Sequence, residues 1–268
     1  MINGVQASMH STIITPEEKK EWPPGSCKEG NVYDFQYYPR NDGYYPCRIY
    51  GQPEPVFPYR GSCFSYNVPR ERKGLQLDFQ SAEKFYSPEY TPEQRCHFYN
   101  SLMEVRTFTE GDISAGISEA RRYAELRLVG QHSVFANEDI LAGQAIGIYA
   151  GEGVVSDNHH RFSQKDREVY GVELHVRTHH KFITGKLVGD GTLSRVNSIF
   201  EYEETRGWYE AKSGYNVILA SVSVISEEGE HILWPCFFAI VNIKAGEEMR
   251  VEYGYPDEVV NRMMTRED

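Results

Sequence analysis

The sequence predicts a mainly β protein with some helix, an α+β chain of several small antiparallel sheets. Three observations predict it. Beyond residue 130, short β-branched runs ("SVFANEDI", "LAGQAIGIYAGE", "VYGVELHV", "YNVILASVSVI", "CFFAIVNI") are separated by glycines, Asp-Gly and charged turns, as antiparallel strands would be. Residues 91–127 carry helical spacing and helix-start signals. Residues 1–90 are irregular and rich in tyrosine, proline and glycine. The chain therefore divides into an N-terminal module (1–90), a helical connector (91–127), a strand-rich domain (128–256) and a C-terminal helical tail (257–268).

In the N-terminal module, "YDFQYYPRNDGYYPCRIYGQPEPVFPYRG" sets proline into every candidate strand, so only short strands and turns fit. Its aromatic density argues against disorder and for rings packed on prolines, with a peptide- or sugar-contacting surface as the alternative. In "TPEQRCHFYNSLMEVR", Thr91 is an N-cap and Pro92 the first helical residue, with Phe98, Leu102 and Val105 at helical spacing. "ISEARRYAELRL" predicts a second helix with Ile117, Ala120 and Leu126 on its apolar face. In "AGEEMRVEYGY", alternation of Met249, Val251 and Tyr253 predicts a half-buried strand that runs out into Tyr-Gly-Tyr before Pro256. A glycine there allows close backbone approach, one way to aim a phenol into a site. "PDEVVNRMMTRED" predicts a short helix.

Composition narrows the function classes. The chain has 268 residues, 40% hydrophobic and 25% charged, ordinary for a soluble globular protein. It has no run of about 18 apolar residues, and its N-terminus lacks the basic start and apolar core of a secretory signal. A soluble, intracellular protein is expected; with no address signal, cytoplasm, nucleus and delivery into a host cell all stay open. A net charge of -11 disfavours nucleic acid and favours basic protein partners. Oligomeric state is not readable. The 5 cysteines (Cys27, Cys47, Cys63, Cys96, Cys236) form no C-x-x-C pair. His159-His160 and His179-His180 are poor chelates, because adjacent strand side chains face opposite ways. No metal site is expected. "GEGVV" and "GDGTL" read as turns rather than phosphate loops, "PRERK" as a solvated basic cluster, and no nucleophile elbow occurs.

The order "SVFANEDILAGQAIGIYAGE", "LSRVNS", "NVIL", "FFAIVNIKAGEEMRVEYGY" resembles the SET domain of protein-lysine methyltransferases over residues 128–256. Tyr149-Ala150-Gly151 matches the family's Tyr-x-Gly, and Asn197 with Gly246 to Tyr253 matches its C-terminal pseudoknot. The resemblance implies a SET-type β-clip that uses S-adenosyl-L-methionine to methylate a lysine of a protein substrate, a histone or another basic protein. It implies that Tyr253 orients the target amine while Tyr149 and Tyr255 wall the channel. It also implies cofactor contacts from Asn197 and Ser198, and from Gln131, His132 and Ser133, which stand where the family carries Gly-x-Gly. Ser198 replaces the family's histidine, and no cysteine-rich segment follows Tyr255. The alternative is a catalytically decayed SET-like module kept for protein interaction. A third reading, from "FANEDILAGQAI" alone, is a small SAF-type domain, which leaves "AGEEMRVEYGY" unexplained.

Overall fold

The structure, a computed structural model, describes residues 47–49, 63–64, 74–87, 89–154, 171–177, 182–189, 191–225 and 231–265. Most of the aromatic N-terminal module, "PRERK" and both histidine pairs lie outside the described residues.

Helix α1 (Pro92–Leu102) begins where its local signals put it. Thr91 Oγ1 accepts from Gln94 N at 3.3 Å, and Gln94 Oε1 accepts from Thr91 N at 2.8 Å, a complete capping box with Pro92 in the first turn. It stops earlier than its spacing predicts. Two short strands near the N-terminus, β1 (Cys47–Ile49) and β2 (Cys63–Phe64), precede it. At Met103 the chain becomes β3 (Met103–Thr107), paired antiparallel with β4 (His132–Ala136), so Val105 lies opposite Val134 in a ladder. The edge that converts it comes from residues about thirty positions on, and pairing outweighs propensity.

Helix α2 (Glu119–Leu126) is capped by Ser118, whose Oγ accepts from Arg121 N at 3.1 Å. Its buried residues are Ala124 and Glu125, and Leu126 is 40% exposed, so the inward face is not the Ile117–Ala120–Leu126 face expected from apolar spacing. Glu125 turns inward because a buried arginine meets it there, as described below.

The fold is α+β, mostly antiparallel sheet with a few helices. Among the described residues, eight strands share one sheet. Its members β5 (Ala145–Ile148), β6 (Gly151–Val154), β7 (Gly171–Arg177), β8 (Phe182–Gly189), β11 (Val217–Ile225) and β12 (His231–Ala239) pair antiparallel. β1 adds a parallel edge on β6, and β2 lies antiparallel on β11. β12 pairs with β7 through His231–Leu233 and with β5 from Cys236, and Pro235 falls at the switch, where a missing N–H costs no ladder bond. The core gathers Trp234, Phe237, Phe238, Ile146, Ile148, Val134 and Met249. α1 docks on β5 through Tyr99, whose hydroxyl accepts from Ile148 N at 3.0 Å. Gly147 permits that docking, since a Cβ there would stand 2.4 Å from the Tyr99 ring.

After β8 the chain makes a 3-10 turn (Thr192–Arg195) and a hairpin, β9 (Phe200–Glu203) with β10 (Gly207–Glu210). The final helix α3 (Asp257–Thr265) is fastened to that hairpin. Asn261 accepts from Trp208 N at 2.8 Å and donates to Trp208 O at 2.9 Å, and Arg206 grips Asp257 in a two-bond fork at 2.5 and 2.7 Å. No helix of the described residues is long and apolar enough to cross a membrane.

Candidate functional site

The segment expected as a half-buried strand is instead a thread. Glu248 bridges singly to Phe135, Arg250 to Asn197 and Val251 to Val217. Val251 N donates to Asn197 O at 3.1 Å, and Arg250 O accepts from Val217 N at 3.1 Å. Residues 248–251 therefore pass between the Asn197 segment and the start of β11, the crossing that the resemblance implies. With neighbours on both sides, the alternation of faces fails: Met249, Arg250 and Val251 are all buried.

Beyond the crossing, the Tyr253 hydroxyl donates to the carbonyl of Val196, the residue just before Asn197. The Tyr253 and Tyr255 rings lie 5.2 Å apart at 34°. A buried carboxylate holds their main chains: Glu210, at the end of β10, accepts from Tyr253 N at 2.6 Å and from Tyr255 N at 2.7 Å. Gly254 makes this possible with φ +73, a left-handed turn that brings amides two residues apart onto one anion. The Ser198 hydroxyl also donates to Glu210, and the Tyr215 hydroxyl lies 3.4 Å from Ser198 Oγ while donating to Ala211 O at 2.8 Å. Burial pushes the Tyr215 phenol above its usual value, so it stays a neutral donor.

On the other side of Asn197 sits a compact ionic group. Arg250 donates to Ser198 O at 2.8 Å and meets Glu125 and Glu248, each at 2.5 Å, with Phe108 5.5 Å from its guanidinium carbon. Burial raises the Glu248 carboxyl above the usual carboxylate range, and Arg250 pulls the other way. Asn197 Nδ2 donates to Ser133 Oγ and lies 3.4 Å from His132 O and 3.5 Å from Glu248 Oε1.

The site residues expected from sequence fall into three places. Ser133, Asn197, Ser198, Tyr253 and Tyr255 come together around the crossing. The side chains standing in for glycines turn aside: Gln131 Nε2 folds back to Arg127 O at 2.6 Å, and Ser133 points inward to Asn197. His132 contributes its carbonyl while its side chain is exposed. Tyr149 is a core residue, stacked on Phe237 at 5.8 Å, with its ring over Gly189, where a Cβ would stand 2.4 Å away. Sequence reasoning missed Glu210, Arg250, Glu248 and Glu125. Each reads as a solvent-facing charge in its local pattern, and only burial distinguishes it. Among the described residues no group of His, Cys, Asp and Glu could hold a metal ion.

A separate cleft of about 590 Å³ opens between α2, the hairpin and α3, with Tyr123, Tyr202 and Trp208 on its walls, Glu119 at the start of α2 and Arg127 just past its end.

No protein-family model matches the chain, and no curated protein matches it. Among solved structures it is similar to the methyltransferase domain of the human histone-lysine N-methyltransferase SETMAR, at 16% identity over 87% of this chain and 78% of that chain, with a TM-score of 0.37.

Proposed function

We propose that this protein transfers a methyl group from S-adenosylmethionine to a lysine amine of a basic protein. The observation that carries the reading is the crossing: it sets the Tyr253 phenol on the Val196 carbonyl, directly before Asn197. Because that hydroxyl hydrogen is committed to Val196, an incoming amine would meet the phenol oxygen as an N–H donor. An amine so held turns its own lone pair away from the phenol, toward the Asn197 side. The Tyr253 and Tyr255 rings would desolvate an ammonium, lowering its pKa and favouring the neutral nucleophile.

The residues beside Asn197 fit the amino-acid end of such a cofactor. Asn197 Nδ2 is engaged, and its Oδ1 accepts no hydrogen bond among the described residues, which leaves it for an ammonium. The His132 carbonyl and the Glu248 carboxylate lie next to it. When bound, the cofactor would supply a sulfonium methyl group; the chain orients the amine, keeps it neutral and excludes water. Tyr149, buried on Phe237, supports the sheet beneath the site, and the channel wall falls to Tyr253 and Tyr255. The net charge of -11 supports a lysine-rich partner, histone tails among them.

A second reading, an interaction module without transfer, is favoured by the aromatic cleft, whose Tyr123 and Tyr202 are 50% and 47% exposed. One experiment separates the two. The full chain is incubated with isotopically labelled S-adenosylmethionine and basic lysine peptides, and cofactor binding is followed by calorimetry. Saturable binding, label on lysine, and loss of at least about 100-fold in transfer by Tyr253→Phe with binding kept are expected. No binding at millimolar cofactor sinks the enzyme reading.

A further inference from the structure

We infer that Glu210 is a positioning residue of this site: through main-chain amides it sets both tyrosines and ties them to the segment that carries Asn197. The inference deepens the methyl-transfer reading and rests on it. Glu210 is 8% exposed and divides its carboxylate between segments far apart in sequence. Oε1 takes the Tyr253 amide at 2.6 Å together with the Ser198 hydroxyl, and Oε2 takes the Tyr255 amide at 2.7 Å. Bonds to an ionised acceptor are short and strong, and two of them to amides on either side of one glycine fix a turn as well as a distance. The left-handed Gly254 is the hinge of that turn.

The support behind Glu210 is stiff. β10 pairs with β9 and is locked to α3 by the double Asn261–Trp208 bond and the Arg206–Asp257 fork. A carboxylate on such an element transmits the position of the hairpin to the Tyr253 phenol, whose hydroxyl must stay on Val196. The Ser198 bond ties the same anion to the residue after Asn197, so one group registers the amine side against the cofactor side. Glu210 touches neither reactant and acts through Tyr253 and Tyr255.

The test is Glu210→Gln in the full chain. Glutamine keeps the size but has one acceptor oxygen, so its amide nitrogen faces a tyrosine N–H and one of the two bonds is lost. A displacement of the phenol near 1 Å is expected to lower kcat about 100-fold, with cofactor affinity kept within about threefold because the Asn197 contacts remain. In a Tyr253→Phe background the same substitution adds little further loss, since both act through one group. Glu203→Gln, an exposed acid on the same hairpin, leaves kcat unchanged. Amide resonances of Tyr253 and Tyr255 give a readout independent of activity: in Glu210→Gln at least one shifts and exchanges faster, while core amides such as Phe237 hold. If Glu210→Gln does not fold, Gly254→Ala strains the turn from the other side and is expected to give the same loss in kcat with cofactor affinity kept. Full kcat in the folded variant, or additive losses with Tyr253→Phe, overturns the role. If the wild-type chain transfers no methyl group, the reading of the reaction fails, and the amide spectra alone decide the clamp: unshifted Tyr253 and Tyr255 overturn it.

Discussion

Arg250 shows how one side chain can organise a site from within. Its guanidinium satisfies Glu125, Glu248 and the Ser198 carbonyl, which belong to α2, the thread itself and the Asn197 segment. Removing it leaves Glu248 without its guanidinium and Glu125 with Arg121 at 3.9 Å, and losing one partner of a buried charge group costs about 3–5 kcal/mol. Arg250→Ala is therefore expected to lower stability by at least that order in urea unfolding. Arg250→Lys recovers part of it, because a lysine keeps the charge without the planar fork. Residues on this scale were unevenly legible. Asn197 and Tyr253 stand out through the order of their motifs. Arg250 was hidden because, in "AGEEMRVEYGY", strand alternation assigns it to the outer face. Glu210 ends "GWYE" as an acid on a hairpin, where a solvated charge is the ordinary expectation.

At the scale of elements, starts were easier to read than ends. The first turn of α1 rests on Thr91, Pro92 and Gln94, all within four positions, and the capping box forms as that local chemistry dictates. Thr91→Ala removes one arm of the box and is expected to cost about 1 kcal/mol, read as a lowered midpoint in denaturant unfolding with an unchanged slope. The other end of α1 could not be read locally, since β3 exists because β4 offers it a ladder. The C-terminal thread is the same case more strongly expressed. Its residues bridge one at a time to Phe135, Asn197 and Val217, three partners that no window of sequence contains together.

For the whole molecule, acid is the informative stress on a chain of net charge -11. Arg106 binds Asp112 through two bonds of 3.0 and 2.7 Å, and Thr109 N adds a third at 2.8 Å. The Arg106 bond, ahead of the others, holds the Asp112 carboxyl well below the usual range. The folded state then binds that proton more weakly than the unfolded one. Its contribution is fully present above the ordinary carboxylate value near ~3.9 and is lost as pH falls from there toward the depressed value. Asp112→Asn is expected to unfold at a lower temperature than the wild type at neutral pH, with the gap closing as pH drops below about 4. A gap that stays constant down to pH ~2 contradicts the assignment.

By itself the sequence determined what neighbours a few positions apart can settle: the mixed β and helical character and the capped start of α1. Only the tertiary structure decided which charges are buried and what they hold. Glu125 and Arg250 meet across 125 positions, and Glu210 reaches Tyr253 across 43. Whether a carboxylate is solvated or clamped depends on the water excluded by segments far away in the chain, and no local pattern encodes that exclusion.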